Sequence, residues 1–87
     1  MPEQNKHPQI KVERVQTGVR LEKRMVKVLK ALAEYFDISL GDLLEGIVLH
    51  SFEGQSPFNT EALEKIAALK EIYGMDYDAT ASHHMIE

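Results

Sequence analysis

One stretch of this chain alternates as a β-strand does, and nothing downstream offers that strand a neighbour. Val15, Thr17, Val19 and Leu21 fall on one side of residues 15–21, with Gln16, Gly18 and Arg20 on the other. This is the period of two that marks a strand with one covered and one open face. Ile10 and Val12 have the opposite parity, so an earlier start near Ile10 requires a bulge or break at Glu13 or Arg14. A lone strand leaves its amides and carbonyls without partners, so a second chain must supply the ladder. The simplest closed arrangement is a two-fold one, in which the strands of two copies pair antiparallel.

Size points the same way. A chain of 87 residues is one small domain, and small cores need support. It has no cysteine, which removes disulfides and thiolate zinc sites and leaves association as the usual remedy. With 44% hydrophobic and 28% charged residues, it falls among folded globular proteins rather than disordered polyelectrolytes. No apolar run approaches the length of a membrane span, and residues 1–9 are polar rather than signal-like, which makes a cytoplasmic protein the expectation.

Beyond Leu21 the period changes to that of a helix. Met25, Val28, Leu29, Leu32, Ala33 and Phe36 recur at three and four, with Lys23, Lys27, Lys30 and Glu34 on another side, so residues 22–36 are expected to form a first amphipathic helix. Asp37, Ile38 and Ser39 interrupt it. Ser39 followed three residues later by Asp42 is a capping pattern, opening a second helix whose stripe is Leu40, Leu43, Leu44, Ile47, Val48, Ser51 and Phe52, with Leu49 on its flank. Gly54 is its stop. Gly46 in its middle is either a close-approach site or a tolerated exposed glycine. A third helix is expected over residues 60–73, with Leu63, Ile66, Leu69 and Tyr73 on one side and Gly74 at its end. Residues 75–87 show no clear period and are expected to be mobile unless a partner orders them.

Charge divides the chain. Residues 1–30 carry eight cations against three acids, a net of +5, and residues 31–87 carry two cations against eleven acids, a net of −9, together the formal −4. Such a dipolar molecule can offer a positive face to phosphate while its acidic end faces away or binds something else. Three regions follow: a flexible basic arm over residues 1–14, a strand and two helices over residues 15–54, and an acidic helix and tail over residues 55–87.

A strand, a helix, a serine-capped turn and a more apolar second helix within residues 16–54 resemble the ribbon-helix-helix family, the Arc and MetJ type of DNA-binding protein. The resemblance implies a mainly α fold with one short strand, built as an intertwined homodimer around an intermolecular two-stranded antiparallel ribbon, with the third helix added at the C-terminus. It implies a dimer core containing Val19, Leu21, Leu44, Ile47 and Val48. It places the ribbon in the major groove of double-stranded DNA, with Gln16, Gly18 and Arg20 toward the bases. Arginine can pair doubly with guanine, and glutamine with adenine. Glycine at position 18 departs from the family, and either admits close approach or weakens reading. The resemblance also implies a phosphate at the start of the second helix, on the amides of Leu40 and Gly41 beside Ser39. Asp42 opposes that anion if it points outward. Lys23 and Arg24 are backbone-positioning cations or solvated helix charges.

No catalytic pattern emerges: Ser51 and His50 are neighbours on a helix and face different ways. Adjacent His83 and His84 lack a third metal ligand, so no metal, cofactor or enzymatic activity is expected. The chain therefore reads as a sequence-specific transcriptional regulator, a repressor that reads DNA as a homodimer. The alternatives are an antitoxin-like protein that holds a protein partner through residues 56–87, or a dimerisation module that never meets DNA.

Overall fold

The computed structural model describes residues 9–87 and shows a mainly helical chain: α1 (Lys23–Phe36), α2 (Leu40–Phe52), α3 (Thr60–Ile72) and a short 3-10 turn at Ala79–Ala81. The first eight residues of the expected basic arm lie outside the described residues.

Each helix starts on a side chain that accepts a free first-turn amide. Glu22 takes those of Arg24 and Met25 for α1. The Ser39 hydroxyl takes that of Asp42 at 3.0 Å for α2, as the capping pattern requires, and Asn59 takes that of Ala62 at 2.8 Å for α3. The three helices also end alike. Asp37 (φ 60°), Gly54 (φ 71°) and Gly74 (φ 68°) adopt the left-handed conformation. The next amide in each case then bonds back five residues, Ile38 to Ala33 at 3.0 Å, Gln55 to His50 at 2.9 Å and Met75 to Lys70 at 2.8 Å, the closure that satisfies the last carbonyls of a helix.

Helix α1 is the central element, and α2 and α3 both pack on it. Leu32, Ala33 and Leu43 form the buried centre, with Leu29, Ile47, Phe58, Ile66 and Leu69 against them. Val28 and Ala62 are buried as well. On α3, Ile66 and Leu69 of the expected face pack against this centre, whereas Leu63 is 51% exposed and the small Ala62 is the fully buried residue of the helix. Gly46 meets no atom that would obstruct a side chain, so no close approach accounts for it among the described residues.

In the single chain two segments differ from expectation. Residues 15–21 form no strand, and none occurs among the described residues, since one chain gives their amides no ladder partner. Residues 75–87, expected to be mobile, instead fold back along α1 as a strap. Tyr77, Met75 and Ala81 are half-buried there, over an apolar hollow of about 570 Å³ shared with Met25, Leu29 and Ile66.

Candidate nucleic-acid interface

The segment before α1 runs beside α2. Arg14 reaches Glu45 with two parallel bonds of 2.9 Å, Nε to Oε2 and Nη2 to Oε1, and this arginine holds the Glu45 carboxyl below its usual range. The pairing, exposed on the surface, sets Arg14 against the helix. Gln16 consequently shares a surface hollow with Ser39 and Gly41.

At that hollow the first turn of α2 is half satisfied. Ser39 holds the Asp42 amide with its hydroxyl and the Leu43 amide with its carbonyl. The amides of Leu40 and Gly41 find no acceptor among the described residues. Gly41 is exposed, and no atom lies where its Cβ would be. Free amides at the positive end of a helix dipole suit an anionic oxygen. Asp42 lines the same hollow and adds a negative charge to it. One predicted base-reading residue, Gln16, and the predicted phosphate site thus come together.

The two arginines lie elsewhere. Arg24 is half-buried; its Nε donates to Glu22 at 3.0 Å, and its Nη1 donates to the Gly74 carbonyl at 2.9 Å and to Asp76 at 3.1 Å. Arg20 pairs with Glu87. Lys23 is exposed and makes no ion pair among the described residues. Gly18 is open, with nothing near the position of a Cβ.

Glu22 and Tyr77 were not legible as partners in the sequence. The Tyr77 hydroxyl donates to the Glu22 carboxylate at 2.5 Å across 55 positions of chain. That bond, with those from Arg24 and the Met25 amide, holds the Glu22 carboxyl down at about 2. Burial and the same carboxylate push the Tyr77 phenol up to about 12. The Arg24 guanidinium lies 5.4 Å from the Tyr77 ring centre, so three side chains lock the strap to the start of α1. An Arg-acid-aromatic cluster was the available signal, yet nothing in the spacing of residues 22, 24, 76 and 77 joins them.

Among the expected dimer-core residues, Val19 is 75% and Val48 44% exposed, Leu21 is also exposed, and Leu44 and Ile47 are half-buried. No group of three histidine or acidic side chains suited to a metal occurs among the described residues. No helix there is long and apolar enough to cross a membrane. No protein-family model matches the chain, and neither a curated protein nor a solved structure does.

Proposed function

We propose that the chain is a sequence-specific DNA-binding regulator of the ribbon-helix-helix type, acting as a homodimer that reads the major groove with a two-stranded ribbon. The observation that carries this reading is the exposure of every large aliphatic side chain described before α1: Ile10 at 80%, Val12 at 56%, Val15 at 79%, Val19 at 75% and Leu21 at 44%. Alternation with no cover is what a ribbon strand has before its second copy pairs with it.

The second helix supports the same reading, since Val48, Leu49 and Phe52 of α2 are exposed as well. In the proposed dimer the strands pair and the α2 helices cross, so both are covered at once. Gln16, Gly18 and Arg20 then face the bases, and the amides of Leu40 and Gly41, with Lys23 and Arg24, face the phosphates.

Fluorescence anisotropy with mixed-sequence and candidate operator duplexes tests the proposal. Binding is expected at about 50 mM salt and should fall steeply by about 200 mM, as phosphate contacts dictate. Gln16→Ala or Arg20→Ala should reduce preference for the best duplex by about five- to a hundredfold, the worth of one bidentate base contact. Absence of binding at low salt refutes the DNA reading and leaves the dimerisation module.

A further inference from the structure

We infer that residues 75–87 are a built-in competitor for DNA, an acidic strap that occupies the two arginines with which the chain would grip a duplex. The inference rests on the DNA-binding reading above. It starts from where those two arginines spend their donors.

Arg24 directs Nη1 to the Gly74 carbonyl, where α3 ends and the strap begins, and to Asp76 of the strap. A phosphate oxygen would need that same nitrogen. Arg20 gives Nη2 to Glu87, so the group suited to the O6 and N7 of guanine already faces a carboxylate. Of the cations proposed for DNA, these two are held by the strap, and Lys23 is not. The two strap acids that pair with them, Asp76 and Glu87, are themselves exposed, at 83% and 82% of their side chains.

The strap has the parts a competitor needs. Its anchor is Tyr77, half-buried and bonded to Glu22, with Met75 and Ala81 in the apolar hollow beside it. Its far end, Ile86 and Glu87, lies on the surface, with Ile86 98% exposed. The anchor keeps Glu87 at high local concentration beside Arg20. The exposed ion pair itself is weak, so a duplex can displace it. DNA that carries enough phosphate and the right bases wins both arginines, and weaker duplexes do not. The strap therefore raises the threshold for binding and disfavours non-specific DNA most.

The test compares the full chain with Asp76→Asn/Glu87→Gln and with Glu64→Gln/Glu71→Gln. The second variant removes the same charge from exposed positions of α3 that make no ion pair among the described residues. Anisotropy on mixed-sequence duplex at about 50 mM salt should show the strap variant binding on the order of tenfold tighter, four weak pairs being released per dimer. The α3 variant should gain no more than about twofold, the general effect of charge. Equal gains in both variants, or none in the strap variant while the full chain binds, overturn the competitor and leave the DNA reading intact. Failure of all three proteins to bind any duplex overturns both. Thermal melts of the three proteins, expected to coincide, confirm that folding is unchanged.

Discussion

Phe52→Ala separates the single chain from the proposed dimer. Phe52 closes α2 and is 79% exposed, so in an isolated protomer its ring contacts little beyond its own helix. Truncating an exposed side chain of that kind changes stability by less than about 0.5 kcal/mol. If the α2 helices of two copies cross, the ring enters a packed core, where loss of a phenylalanine costs about 3 to 5 kcal/mol. For a domain of this length each kcal/mol moves the melting temperature by about 4 to 8 °C. The two arrangements therefore predict a shift of less than about 4 °C or of more than about 12 °C. Circular-dichroism melts over a roughly hundredfold range of concentration measure it, because a dimer's melting temperature also rises with protomer concentration. The expected result is a concentration-dependent melt in the parent chain and a large loss in the variant. A small shift with no concentration dependence refutes the argument that a second copy covers α2.

Leu32→Ala tests the core within one chain: Leu32 is 1% exposed, so urea melts should show a loss of about 2 to 5 kcal/mol whatever the oligomeric state. Ser39→Ala removes the hydroxyl that holds the Asp42 amide and should cost about 0.5 to 2 kcal/mol, read by the same melts. Tyr77→Phe leaves the Glu22 carboxylate without its main donor; Glu22 should titrate closer to an ordinary carboxyl by NMR, and the amides of the strap should exchange faster. The strap should also loosen at both extremes of pH. Glu22 is held down at about 2, so its contribution is complete above its ordinary value near 4.5 and is lost as pH falls from there toward 2. Tyr77 is pushed up to about 12, so its contribution is complete below its ordinary value near 10 and is lost as pH rises toward 12. Stability measured from pH 2 to pH 12 should therefore fall at both ends, with Glu22→Gln flattening the acid limb.

Local chemistry made the helices legible. Ser39 with Asp42 marked the start of α2, and Gly54 and Gly74 marked two ends, because caps and left-handed stops depend on a few adjacent residues. Asp37 took the left-handed conformation where glycine is usual, as aspartate can. The start of α1 was placed at Glu22, but its capping role was not legible, since glutamate is not among the favoured cap residues. The face of α3 was legible at Ile66 and Leu69, which pack on the core, but a count of large apolar residues also favours Leu63, which is exposed, over the small and buried Ala62. The strap was invisible for a different reason. Residues 75–87 carry no period, and what orders them is a bond between Tyr77 and Glu22 across 55 positions, which no local pattern encodes. Of the candidate interface, the Ser39 turn could be read, its proximity to Gln16 could not, and the occupation of both arginines could not.

The division of charge along the chain is not a division in space. The basic first third and the acidic remainder would allow a molecule whose acidic end faces away from its cations or binds something else. Instead, the chain returns Asp76 to Arg24 and Glu87 to Arg20, and Glu45 to Arg14, so three of the basic segment's cations are matched by acids from the other region. The cations left without an ion pair among the described residues are lysines, Lys11, Lys23, Lys27 and Lys30. A lysine meets phosphate as a flexible point charge, whereas arginine adds a planar fork that reads guanine. In the DNA-binding reading proposed above, the folded chain thus leaves the means of attaching to any duplex exposed, while its best means of choosing among duplexes is held by weak intramolecular pairs. In the proposed regulator, general attraction comes first, and base reading follows only where a sequence draws Arg20 away from Glu87.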